Sequence, residues 1–173
     1  MRTPIPALLS PFLISGLLAL PGCSTPFRAA PCDPNPAQYL LEEINRIRAD
    51  EGVPPVWPNL HLARAADAHA RAIAMGDAEG HFGEDGSDPL QRIREAGYLP
   101  LAFGENVAIG TAASSMVVEA WMESPTHRTV LLDPSVDEVG FGGVLDIDRP
   151  IWVADFGRGR ETAETRCHPW PLG

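Results

Sequence analysis

The chain has 173 residues, of which 45% are hydrophobic, enough for one packed domain with segments to spare at its ends. Its formal net charge of −10 leaves no basic face to meet a phosphate backbone and excludes a nucleic-acid partner. Three cysteines are few for a disulfide scaffold but awkward in number for an exported protein, unless one of them has another use.

Residues 1–22 read as an export signal. Arg2 precedes an apolar run from Ala7 to Leu20, too short to span a bilayer, which ends in Leu20-Pro21-Gly22-Cys23. A small residue just before a cysteine points to a lipoprotein signal, in which Cys23 becomes the first residue of the mature chain and carries the lipid anchor. An ordinary cleaved signal is the alternative. Residues 23–36, rich in Pro, Ser and Ala, form the tether. With Cys23 lipidated, Cys32 and Cys167 are left to pair outside the cytoplasm, which would contribute about 4–5 kcal/mol in the chain-entropy model; two free thiols are the other reading. The expected location is the cell envelope, at the outer membrane, with secretion as the alternative.

The domain is expected over 37–158, followed by a C-terminal tail over 159–173. Leu40, Ile44 and Ile47, with Glu42, Glu43, Arg46 and Arg48 between them, mark an amphipathic helix that ends near Gly52. The prolines of VPPVWP then turn the chain. Asn59 caps a second helix in which Ala63, Ala66, Ala70 and Ile73 share a face up to Gly76, while His61 and His69 fall off that stripe and read as exposed or packing residues. His81 lies in a glycine-rich loop. Asp88 caps a third helix, with Pro89 at its first position, Gln91 completing a capping box, Leu90 and Ile93 inward, and Gly97 as its stop.

The run LAFGENVAIG, Leu101 to Gly110, predicts a short strand in its second half, and a carboxylate at Glu105 inside it needs a partner. A fourth helix is expected from about Ala113, with Val117, Ala120 and Trp121 inward. Ser124 and Pro125 then restart a helix that runs to Leu132 and places His127 in its first turn. Glu138 to Leu145 and Ile151 to Phe156 predict an antiparallel hairpin.

The chemistry-bearing residues are His81, Glu105 and His127. A helix N-terminus favours neutral imidazole at His127, the form that binds metal, and two nitrogens with one oxygen suffice for a zinc site that keeps a solvent position open. An equally weighted reading has each of the three simply tying loops together. Serine chemistry from Ser124 with His127 is a minor reading, because that serine is better used as a cap and no G-x-S-x-G elbow is present. Paired carboxylates drawn from Glu105 with Glu119 or Glu123 are also minor, since the last two lie along one solvated helix edge.

These motifs in this order resemble a known family. His81 before a D-G-S-x-P helix start, GENVAIG at 104–110, Val118-x-x-Trp121-Met-x-Ser124-Pro125-x-His127-Arg128, and the closing VGFG and WVADFG are similar to the CAP superfamily. That superfamily comprises the cysteine-rich secretory, antigen 5 and pathogenesis-related proteins, or SCP domains, and the likeness is to its bacterial branch. The resemblance implies an α+β fold: a three-layer α-β-α sandwich around a small, mainly antiparallel sheet. It also implies a cleft in which His81, Glu105 and His127 match three of four metal-binding positions, with zinc or another divalent ion as the cofactor. Ser124 stands where the family has a second glutamate. The expected role is that of a monomeric, non-enzymatic module for a metal or a small or lipid-like ligand, tied to a membrane by its N-terminal lipid. A metal-assisted hydrolase of an envelope substrate and a purely structural envelope protein are the alternatives.

Overall fold

The computed structural model describes residues 35–111, 113–145 and 148–160. The export signal, Cys23, Cys32 and Cys167 lie outside the described residues. Helix α1, Pro36–Asp50, starts where the Asn35 side chain accepts the Gln38 N–H at 3.2 Å and buries Leu40 and Ile44 one turn apart. Arg48, one turn further, was expected among the solvated charges but is fully buried. Its guanidinium donates to the carbonyl oxygens of Pro54 (2.7 Å), Leu131 (2.8 Å), Asp133 (3.1 Å) and Val136 (3.1 Å), which explains how a charge is tolerated there.

Where a turn was expected, Trp57–Pro58 forms a two-residue strand, β1. Helix α2, Leu60–Met75, is capped by Asn59 and stopped by Gly76 at φ 87°, a left-handed conformation open to glycine. Its buried residues are Leu62, Ala65, Ala66, His69, Ala70 and Ile73, so His69 belongs to the inner stripe rather than beside it. Two short strands, β2 (Ala78–Glu79) and β3 (Phe82–Gly83), pair antiparallel and leave Gly80 and His81 as the turn between them. Helix α3, Pro89–Glu95, follows the cap by Asp88, which accepts the Gln91 N–H at 2.7 Å; the Gln91 amide bonds Glu95 instead of closing a capping box.

Strand β4 is longer than expected and spans Pro100–Ile109, with an irregularity between Pro100 and Ala102. In helix α4, Ser114–Glu123, Val118 rather than Ala120 joins Val117 and Trp121 inward. Helix α5, Pro125–Leu131, has Ser124 at its N-cap position, but the serine side chain makes no capping bond. Strands β5, Glu138–Val144, and β6, Ile151–Gly159, form the expected antiparallel hairpin.

The main sheet has the order β1-β5-β6-β4; β1 runs parallel to β5 and the other pairs are antiparallel. Strand β6 is buried continuously from Ile151 to Gly157 because both of its faces are covered. Trp152, Ala154 and Phe156 pack with Leu40, Ile44, Val117, Trp121 and Leu131 from α1, α4 and α5. Ile151 and Val153 pack with Ala66, Ala70 and Ile73 of α2. The result is the three-layer α-β-α arrangement, with α2 close enough to β5 that a Cβ on Gly142 would lie 2.2 Å from the Ala66 carbonyl carbon. Among the described residues no helix is long and apolar enough to cross a membrane.

Candidate functional site

Glu105 sits in β4 directly opposite Asp155 of β6, and strand alternation sends both side chains to the face covered by α2. The Glu105 side chain is 1% exposed, and each of its oxygens has a partner. Oε1 lies 2.8 Å from His81 Nδ1, which the β2–β3 turn delivers; that turn is held by the Glu84 N–H on the Asp77 carbonyl and the Gly83 N–H on the Ser87 carbonyl. Oε2 accepts from Arg92 Nη2 of α3 at 2.6 Å. The other terminal nitrogen of Arg92 donates to the His81 and Ser87 carbonyls, both at 3.0 Å, so one guanidinium ties the turn to the strand. From α2, His69 Nε2 bonds the Gly80 carbonyl at 2.8 Å and lies 4.0 Å from Glu105 Oε1.

These contacts set the protonation states. Burial alone would raise the Glu105 carboxyl, but its bond to His81 and the adjacent Arg92 outweigh that and hold it below the usual carboxylate range. His81 is raised, chiefly by its bond to Glu105. His69 is lowered because it is buried, and so stays neutral. Asp155, 1% exposed, is pushed well above the ordinary aspartate range, by burial first and by Glu105 next. Neither Asp155 oxygen has a hydrogen-bond partner among the described residues, and burial beside the Glu105 carboxylate favours its neutral acid.

His127 approaches from the other side of edge strand β4. Asn106, next to Glu105 and therefore facing the opposite way, donates its amide to the His127 carbonyl at 3.0 Å. The His127 imidazole is half-buried and close enough to His81 that charge on one disfavours charge on the other. It is lowered as expected from the sequence, but burial is the main cause and His81 the second.

A divalent ion held jointly by His81, Glu105 and His127 does not fit this arrangement. Glu105 has both oxygens engaged, one of them by a permanent cation, and His81 spends Nδ1 on Glu105. Among the described residues no three His, Cys, Asp or Glu side chains converge to hold a metal. Ser124, at the missing glutamate's position, sits half-buried at the start of α5.

Three residues of this cluster escaped the sequence reading. Arg92 drew no reading, because no spacing signal distinguishes it on so short a helix. His69 was placed off the stripe of Ala63, Ala66, Ala70 and Ile73, although it stands four residues from both Ala65 and Ile73. Asp155 carries the same signal that singled out Glu105, a carboxylate inside an apolar strand, and that signal would have found it.

The family model for the cysteine-rich secretory protein family, CAP, matches residues 41–156. The uncharacterised protein YkwD of Bacillus subtilis is 27% identical over 117 residues, which is 68% of this chain and 45% of that protein. The uncharacterised membrane protein YlbC of the same organism is 24% identical over 119 residues, 69% of this chain and 33% of its own length. The chain thus spans less than half the length of these curated relatives. Among solved structures, an outer surface protein of Borrelia burgdorferi superposes with a TM-score of 0.66 at 24% identity, covering 71% of this chain and 92% of that one. An extracellular SCP-domain protein of Bacillus anthracis gives 0.65 at 20% identity, covering 71% and 40%. The match of the family model across most of the described domain, on a fold shared with these structures, makes this chain a member of the cysteine-rich secretory protein, or CAP, family.

Proposed function

We propose that this chain is an extracytoplasmic binding module, anchored through Cys23, whose site presents His81 and His127 to a small or lipid-like molecule. The observation that carries this reading is the state of Glu105. A hydrolase at this site would need Glu105 as base or metal ligand, and that carboxylate is 1% exposed with both oxygens bonded. What faces solvent is instead the His81 ring, 44% exposed, followed in the chain by Phe82 at 59%. An exposed imidazole followed in the chain by an exposed aromatic ring suits recognition of an amphipathic molecule. The extracellular and outer-surface relatives are consistent with export of this chain.

Two measurements test the proposal. Mass spectrometry of the organic extract from purified full-length protein should find a species that the His81→Ala/His127→Ala variant loses; identical extracts would refute the binding site, and a change in stability alone would favour the structural role. Intact mass should show loss of residues 1–22 and an acylated Cys23. A mature chain that begins elsewhere without acyl mass would refute the anchor.

A further inference from the structure

The cysteine-rich secretory family resemblance implies a metal, and the geometry of Glu105 argues for a substitute. We propose that Arg92 is the built-in cation of this site: its guanidinium takes the oxygen and the charge of Glu105 that a divalent ion would take, so the His81–Glu105–His127 group of this chain is complete without metal. The proposal concerns the same residues as the binding reading above but does not depend on which ligand they meet.

Arg92 is held in place rather than resting against Glu105. Its side chain is 10% exposed, and its two terminal nitrogens satisfy three acceptors: Glu105 Oε2 at 2.6 Å and the carbonyls of His81 and Ser87 at 3.0 Å each. Moving it aside for an ion would take the donor from the His81 carbonyl and the cation from Glu105 Oε2. A guanidinium does not deprotonate in a protein, so the neutralisation is permanent. Glu105 already balances Arg92 at 2.6 Å, so a doubly charged ion would bring charge that this pair does not offset.

The ligand count also falls short. With Nδ1 of His81 on Glu105, the carboxylate has the role of orienting the imidazole. That leaves Nε2 of His81 and the imidazole of His127, one short of the three protein ligands a zinc site with an open position uses.

The test uses the full chain. Calorimetric zinc titration and thermal unfolding with zinc or with EDTA are compared for wild type and His81→Ala, whose ring is partly exposed and whose loss the fold should survive. The expected result is no difference in zinc uptake between the two and no shift of the wild-type midpoint with either additive. Zinc bound by wild type and lost in His81→Ala would overturn the proposal, whatever the ligand extracts show. A second arm measures Arg92→Gln, Glu105→Gln and the double variant. Arg92→Gln leaves Glu105 with His81 alone, Glu105→Gln leaves Arg92 without its carboxylate, and the double removes the pair, so the double should lower the midpoint by less than the two singles combined. Additive losses would overturn the pairing. If Arg92→Gln does not fold, Arg92→Lys replaces it in the same cycle.

Discussion

Gly142→Ala tests the packing on which the site depends. Helix α2 carries His69 and rests directly on β5, where Gly140 and Gly142 face the backbone at Ala63 and Ala66. A Cβ on Gly142 would stand 2.2 Å from the Ala66 carbonyl carbon and 2.2 Å from the Asp67 nitrogen. Relief needs α2 to lift by about 1 Å, because the obstacle is backbone and no rotamer change removes it. Overpacking of a tight core typically costs 1–3 kcal/mol, and a backbone obstacle belongs at the upper end, about 3 kcal/mol in a domain whose total stability is ~5–15 kcal/mol. Gly143→Ala is the internal comparison, since its Cβ would meet the Trp152 ring at 3.1 Å and the Ile151 carbonyl oxygen at 3.3 Å, overlaps of only a few tenths of an ångström. Urea unfolding should show the Gly142→Ala midpoint lower by roughly 1 M or more, with Gly143→Ala much nearer wild type. Equal midpoints for the two variants would refute direct seating of α2 on the sheet.

Further expectations follow from the buried polar groups and from the termini. Arg48→Met should cost about 2–4 kcal/mol, because the Pro54, Leu131, Asp133 and Val136 carbonyls lose their donor; a loss below 1 kcal/mol in denaturant unfolding would show that water replaces it. Asp155 keeps its proton in the native state above the pH of ~3.9 at which the unfolded chain releases it, so native stability should fall as pH rises from there, by about 1.4 kcal/mol per unit while the acid stays protonated. Asp155→Asn removes that slope, and its advantage over wild type should grow above pH ~4 and be flat below; a pH-independent difference would mean that Asp155 titrates as in the unfolded chain. Intact mass after alkylation, with and without reductant, should reveal two thiols only after reduction if Cys32 and Cys167 pair. Two alkylated thiols without reductant would show that they do not.

The helices were legible because their signals are local. Asn59 with Gly76 and Asp88 with Gly97 bound α2 and α3 through capping geometry that needs no distant partner. Strand β1 was not, because Trp57 pairs with Glu138, some eighty residues later, and nothing near VPPVWP announces that partner. Ser124 misled in the opposite sense: it has the right residue type and position for a cap, yet its side chain makes no capping bond. The site was half legible. His81 and Glu105 meet as the family resemblance implies, whereas Arg92 lies on a seven-residue helix too short for periodicity to indicate which face is buried.

The misreadings of Arg48 and His69 share one physical cause and suggest how to read such chains. Arg48 continues the spacing of Leu40 and Ile44, and His69 stands four residues from both Ala65 and Ile73, so each lies on the buried stripe of its helix despite its polar side chain. Position prevailed because a helix exposes or buries a whole stripe at once, and the cost of one polar group was met by carbonyl acceptors brought from elsewhere in the fold. Glu105 and Asp155 repeat the pattern in strands, paired across the sheet where apolar residues would ordinarily stand. In this chain, then, Arg48, His69 and Glu105 in core phase mark places where the fold supplies a partner. Arg48 marks the structural tie between α1 and the segment leading into β5; His69, Glu105 and Asp155 mark the site.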